Sequence, residues 1–462
     1  MTAISILPKS TLVSAILCIA FAGIARAQSL VPTVSNVAYG SHPLETLDYY
    51  AAPSGSGPAP VLIEMHAGGW AGGFKSFFPL YGGLIEKAHS RGIAIVSINY
   101  PLAPMDIFPA SPNSCRRAVQ FVRSMAATWN LDPNRIATIG CSSGAHLAMW
   151  VGAAADAQDL GSPDPVKHFS SRVQAVVSYE GPSDLTDDYY KYSSAVGHGF
   201  TSPVWQFAGC PNEPAWDALP DTIKNNMSPR WHVLQGNPPA VNQSLRYLGI
   251  FKSVGAANQS GQLPAPSADI HDLLQGLLFR EALESVGSPE STVWAGPNTY
   301  IPGVGLVASE MAADWLSTHL ASTPAYNYGD GTPGCFGTQF LGINSVPFAG
   351  NSNFELRSYN GWPGSLGILL ASDSPIAPST DTFGIGLLMT IDLSHTLLAL
   401  DMPVDAAGRG IAALPLPRNA GLTGYTFYFQ ALHVWTDPAI PQPCTPSPYL
   451  LSSTAGLALT IQ

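Results

Sequence analysis

The stretch that most constrains this chain is Gly140-Cys141-Ser142-Ser143-Gly144. A strand-forming run, Arg135-Ile136-Ala137-Thr138-Ile139, leads into it, and a helix-forming run, Ala145-His146-Leu147-Ala148-Met149-Trp150, leads out. Strand, sharp turn and helix around a G-x-S-x-G pentapeptide force strained backbone angles on the central serine and lift its hydroxyl clear of a sheet. Glycine stands on both sides because a side chain there would meet the neighbouring strand or helix. A turn of this kind needs a sheet for its strand to sit in.

The surrounding chain supplies one. Asn36 to Tyr39 and Thr46 to Tyr50 read as opening strands. Pro60 to Met65 is a continuous apolar run, as expected for a strand buried on both faces of a parallel sheet. It runs into His66-Ala67-Gly68-Gly69-Trp70, and a helix is expected from about Leu80 to Ser90. Ile93 to Ser97 is the next strand, ending in Asn99-Tyr100-Pro101-Leu102-Ala103-Pro104, and Ser114 to Ala127 is an amphipathic helix. Beyond the pentapeptide, Val173 to Tyr179 and Ser244 to Phe251 read as strands, Leu273 to Val286 as a helix, Ser291 to Trp294 as the last strand and Val307 to Leu320 as a closing helix. Strands alternating with helices predict a right-handed, mostly parallel α/β sheet. From Gly181 to about Pro239 periodicity is lost, which predicts an excursion over the carboxyl edge of the sheet, where ligands bind in such folds.

Past Ser322-Thr323-Pro324 the composition shifts, and the only cations to the end of the chain are Arg357, Arg409 and Arg418. Short apolar runs separated by turn clusters such as Ala349-Gly350-Asn351-Ser352-Asn353 predict an antiparallel β-sandwich. A length of 462 residues itself predicts more than one domain. The net charge of −11, with no basic stripe, argues against nucleic-acid binding.

The opening segment reads as a signal peptide, residues 1–27. Lys9 gives the positive start, Thr11 to Ala22 the apolar run and Ala25-Arg26-Ala27 the cleavage site. The apolar run is too short to stay as a membrane span, and no later stretch reads as one, so a secreted product is expected. Without Cys18 five cysteines are left, an odd number. Cys141 is expected as a buried free thiol, Cys335 with Cys444 as the leading pair, and Cys115 with Cys210 as a further pairing that sequence alone leaves open.

His66-Ala67-Gly68-Gly69, Asn99-Tyr100-Pro101-Leu102-Ala103-Pro104 and the pentapeptide come in a shared order, joined by Phe108-Pro109, Phe207-Ala208-Gly209 and Ser228-Pro229. Together they resemble the α/β-hydrolase esterases of the hormone-sensitive-lipase and feruloyl-esterase-like group, over about Val37 to Ala321. The resemblance implies an α/β-hydrolase domain at 28–322, with 181–239 as a cap-like excursion, and a C-terminal β-sandwich at 323–462. It implies Ser142 as nucleophile and the backbone N–H groups of Gly68, Gly69 and Ser143 as oxyanion hole. The substrate would be a small or polymeric carboxylic ester, with no cofactor, metal or nucleic acid. The sandwich resembles modules on secreted bacterial proteins, where it would contact glycan or a cell surface.

The triad acid is expected after the next-to-last strand, where Asp269 is preferred and Asp272 stands as alternative, with a helix N-cap as its structural role. The histidine expected after the last strand is missing: Val293 to Tyr300 holds none, and none lies between His271 and His319. Asn298 or Thr299 takes its place, and neither can accept a proton at neutral pH. His271 is the leading substitute because it shares its segment with both candidate acids; His198 and His232 follow. The alternative is a hydrolase relative that has lost its base and serves as a binding or surface protein.

Overall fold

Eight strands build the sheet that holds the pentapeptide. They are β1 (Val34–Ala38), β2 (Thr46–Tyr50), β3 (Ala59–Met65), β4 (Ala94–Ile98), β5 (Leu131–Cys141), β6 (Ala175–Tyr179), β7 (Arg246–Lys252) and β8 (Ser291–Gly296). In the computed structural model they run in the order β1-β2-β4-β3-β5-β6-β7-β8. β1 and β2 are antiparallel additions, and from β4 to β8 every neighbouring pair is parallel. The structure describes residues 30–53, 58–186, 202–235, 245–252, 271–288, 291–296, 305–320, 325–328, 330–332, 339–345, 347, 349–405, 408–434 and 451–461. The expected leader, His198, Asp269, Pro297 to Tyr300, Cys335 and Cys444 lie outside these residues.

The central strands are buried on both faces: all five residues of β4 and of β6 are sealed from solvent. Helices cover them. In the first half these are α1 (Leu84–Ser90), α2 (Ala110–Ser124), the short α3 (Ala126–Trp129) and α4 (Ser143–Ala153). α2 turns Cys115, Ala118, Val119 and Val122 to the core at helical spacing. α4 has no exposed side at all, so its sequence is small and apolar all round. The excursion is more regular than its sequence predicts. It contains α5 (Ser202–Phe207), α6 (Glu213–Asp217), α7 (Asp221–Met227) and α8 (Pro229–Leu234). None is longer than two turns, so none carries a readable period; each is held by docked side chains such as Phe207, Trp216 and Met227. α9 (Leu273–Ser285) and α10 (Gly305–His319) complete the layer.

The later strands are β9 (Ala325–Tyr328), β10 (Phe340–Ile343), β11 (Glu355–Tyr359), β12 (Leu366–Ser372), β13 (Pro375–Thr380), β14 (Met389–Ile391), β15 (Thr396–Asp401), β16 (Gly410–Ala413), β17 (Thr426–Val434), β18 (Leu451–Ser453) and β19 (Gly456–Thr460). They form a three-stranded sheet β10-β11-β16 and a larger sheet β15-β12-β17-β19-β9, with β18 beside β17. Leu341, Ile343 and Leu356 of the first sheet share one apolar core with Leu369, Phe429, Ala431, Leu457 and Leu459 of the second. The pair β13-β14 covers the other face of the larger sheet through Met389 and Ile391, against Leu370, Tyr428 and Leu432. This is an all-β module of packed antiparallel sheets.

Pro32–Gln462 form one compact unit. α10 lies between α1 and β11, and charged groups fill the seam. Arg91 Nη2 stands 2.7 Å from Glu310 and 2.5 Å from Asp314. Arg357 Nη1 stands 2.5 Å from Glu310 and 3.3 Å from Asp314, and Tyr359 donates to Asp314 Oδ2. Cys115, Cys141 and Cys210 are all buried, and none of them forms a disulfide. The Cys115–Cys210 pairing is therefore not formed: each thiol is packed among apolar side chains of the hydrolase core.

Candidate active site

The strand order places the ends of β3, β5 and β6 side by side. Met65 pairs with Gly140, and Cys141 pairs with Tyr179, so the loops that follow them leave the sheet together. Ser142 takes φ 53°, ψ −120°, a strained conformation for a residue with a side chain. Two backbone bonds hold it there: its N–H donates to the Tyr179 carbonyl (2.8 Å), and its carbonyl accepts the His146 N–H (3.0 Å). Both flanking glycines are needed for contact. A Cβ on Gly140 would sit 2.1 Å from the Gly144 carbonyl carbon, and one on Gly144 would sit 2.0 Å from the Met65 carbonyl oxygen.

That second contact seats the loop after β3 against the start of α4. Gly68 and Gly69 adopt φ 140° and 61°, and Trp70 follows at 58°. Among the described residues no protein group accepts a hydrogen bond from the Gly68 or Gly69 N–H. Ser143 opens α4, where an N–H has no intrahelical acceptor. The loop's other groups are spoken for. The Tyr100 hydroxyl donates to the His66 carbonyl (2.6 Å), and the His66 ring stacks on Tyr100 at 4.2 Å. Burial lowers the His66 imidazole to about 4, so it is neutral at pH 7.

His271 Nε2 lies 2.8 Å from Ser142 Oγ. Of the candidate bases among the described residues, this is the one that lies against the serine. His232 instead points Nε2 at the Asn226 carbonyl (2.8 Å). His271 precedes Asp272, and Asp272 caps α9: its Oδ1 accepts the Leu274 N–H at 2.9 Å. Asp269 lies outside the described residues.

The excursion helices close over the same edge. Phe207 stacks on Trp70 at 4.8 Å, and its carbonyl accepts the Phe108 N–H at 2.8 Å. A Cβ on Gly69 would come within 3.1 Å of Pro203. His146 links the layers: Trp70 Nε1–H donates to its Nδ1 (3.1 Å), so its proton sits on Nε2 and is donated to the Met227 carbonyl (2.8 Å). Burial lowers His146 to about 4 and keeps it in this neutral form.

Two features escape sequence reasoning. Glu64, two residues before the loop, is buried with Tyr81 and Ser97 donating to its carboxyl, and burial raises it to about 7. Gln275 on α9 is fully buried and bonded to the corner after β6. A glutamate inside a strand and a glutamine on a helix carry no signal of burial by themselves. Among the described residues no three His, Cys, Asp or Glu side chains are placed to hold a metal ion, and no helix is long and apolar enough to cross a membrane.

Residues 47–241 match the BD-FAE family. A probable isoprenylcysteine alpha-carbonyl methylesterase of Arabidopsis thaliana is 28% identical over 150 residues, 32% of this chain and 31% of that one. The esterase LipQ of Mycobacterium tuberculosis is 36% identical over 131 residues, 28% of this chain and 30% of that one. The chain thus spans about a third of the length of these curated relatives. Among solved structures, a truncated carbohydrate esterase from gut microbiota aligns with 64% of this chain and 99% of its own, at 22% identity and TM-score 0.47. By its motifs and by this match, the hydrolase segment is similar to α/β-hydrolases of the hormone-sensitive-lipase and BD-FAE type.

Proposed function

We propose that this BD-FAE-type hydrolase segment cleaves carboxylic esters through an acyl-enzyme on Ser142, with His271 as the base. The 2.8 Å contact between Ser142 Oγ and His271 Nε2 carries the reading. With its proton on Nδ1, His271 accepts the Ser142 hydroxyl proton at Nε2 while Oγ bonds to the ester carbonyl carbon. The negative charge moves to the carbonyl oxygen, which the N–H groups of Gly68, Gly69 and Ser143 receive. On collapse the C–O bond to the alcohol breaks, and the departing oxygen takes the proton from Nε2. Water then repeats the sequence on the acyl group, freeing the acid and restoring Ser142.

The resemblance favours Asp269 as the orienting carboxylate, with Asp272, whose Oδ1 caps α9, as the alternative. The base would thus come from the connection after β7, where this fold usually keeps only the acid, and the connection after β8 has no histidine to offer. The relatives' names support an ester as the bond cleaved. The leader-like start supports export.

The test is hydrolysis of p-nitrophenyl acetate by the wild type, Ser142→Ala and His271→Ala. Loss of either group is expected to lower kcat by about 10⁶, and loss of both by little more, since the two act as a unit. Activity in His271→Ala near the wild-type level would remove the base. A wild type no faster than Ser142→Ala would leave the binding-protein alternative standing.

A further inference from the structure

We infer that Gln275 is the residue that positions His271 on Ser142, an inference that rests on His271 being the base. A histidine held on a connection between strand and helix needs its helix fixed, because an error of about 1 Å in such a contact costs on the order of 100-fold in rate. α9 begins immediately after His271 and Asp272, and Gln275 follows His271 by one helical turn. Its side chain has no exposure to solvent.

The carboxamide is bonded almost completely. Its oxygen accepts the N–H groups of Ser183 and Asp184, both at 2.8 Å, and its Nε2 donates to the Asp184 carbonyl at 3.1 Å. The Ser183 hydroxyl donates in turn to the Gln275 backbone carbonyl at 2.6 Å. Ser183 and Asp184 form the corner that follows β6. β6 ends at Tyr179, whose carbonyl holds the Ser142 N–H. A short bonded path therefore joins the backbone of the nucleophile to the helix that follows the base.

The corner is braced from the excursion side as well. Arg230 Nη1 meets Asp184 Oδ2 at 3.0 Å, the Arg230 N–H donates to the Ser183 carbonyl at 2.9 Å, and the Leu185 N–H donates to Ser228 Oγ at 2.8 Å. Gln275 thus grips a corner that Ser228 and Arg230 also hold from outside α9. An apolar side chain of the same size would pack there, but it would let the helix slide along its axis and would strand two buried N–H groups. That separates positioning from simple filling.

The experiment measures kcat and KM for p-nitrophenyl acetate in Gln275→Met, a swap that keeps the volume, in the wild-type and His271→Ala backgrounds of the full chain. The expected result is a kcat about 30- to 100-fold lower in the wild-type background, with KM within about threefold. In the His271→Ala background the same change should cost nothing more, because there is no longer a base to place. Equal losses in both backgrounds, or an unchanged kcat, would overturn the inference. A fully active His271→Ala protein would instead overturn the base assignment. If Gln275→Met does not fold, Ser183→Ala removes the hydroxyl bonds to the Gln275 carbonyl and to Gln275 Oε1 and leaves the Ser183 and Asp184 N–H bonds to the carboxamide in place. It should lower kcat by about threefold at unchanged KM, again only while His271 is present, and a loss that persists without His271 counts against the inference.

Discussion

The carboxyl edge of the eight-stranded sheet and the seam where α10 meets α1 and β11 both gather polar side chains, in opposite ways. Around the serine the polar groups that hold the layers together are neutral or belong to the backbone: His66 and His146 are kept uncharged, and the strained turns at Ser142 and Gly69 aim N–H groups, with one ion pair, Arg230–Asp184, set off at the corner after β6. At the seam the groups are ionised and dense, with Lys87, Arg91 and Arg357 set among Glu310, Asp314 and Glu355. Charge density therefore points to the wrong place in this molecule. The candidate reaction centre is marked by backbone strain and a single imidazole contact, and the clustered charges mark a joint between two halves.

The sharpest way to break this contrast is to cut the seam. Arg357→Ala removes the cation that touches Glu310, Asp314 and Glu355 together, and leaves buried carboxylates short of a partner. It should lower stability by about 3–5 kcal/mol in urea unfolding, with kcat for the folded protein unchanged. A fall in kcat would mean that the seam reaches the site. A change at the edge should do the reverse. Gly144→Ala pushes a methyl group into the Met65 carbonyl and should cost at least 100-fold in kcat/KM, about 2.7 kcal/mol. Retained activity would show that the turn has room to relax.

Acid should separate the two regions by a smaller margin. His66 and His146 have folded values near 4 against 6.5 unfolded, so the stability they contribute is complete above 6.5 and is lost as pH falls toward 4. Burial raises Asp314 from 3.8 to about 6 despite Arg91 and Arg357, so it works the other way: its penalty grows as pH rises from 3.8 to 6. Over the one unit from pH 6.5 to 5.5, each histidine should cost about 1 kcal/mol, because the unfolded imidazole is already half protonated at 6.5, while Asp314 sheds part of its penalty. Hydrogen exchange should show amides around Trp70 and Met227 losing protection while those of β11 keep theirs; the last turn of α10, where burial lowers His319, should weaken with the edge. Uniform loss across both regions would end the distinction.

Much of the edge was legible because its constraints are local. The pentapeptide, the apolar strands and the glycines after β3 each state their geometry within a few residues. The helix expected from Leu273 to Val286 is observed at Leu273–Ser285. The gap after β8 was legible too, as a residue type missing from a known place. The short excursion helices were not, because helices of two turns or fewer owe their existence to docking rather than to period. Gln275 and Glu64 were not, because burial of a polar side chain depends on partners far along the chain. The seam was least legible of all. Arg91 and Glu310 are separated by 219 positions, and no pattern within either segment announces the other.

That separation also sets an order of events during synthesis. A chain emerging from its N-terminus exposes Lys87 and Arg91 long before Glu310 and Asp314 exist to meet them, and Ser142 waits 129 residues for His271. Contacts of such long range close late and slowly. The last charged contacts of the seam come only with Arg357 on β11, so the joint can be completed only after the hydrolase sheet has been made.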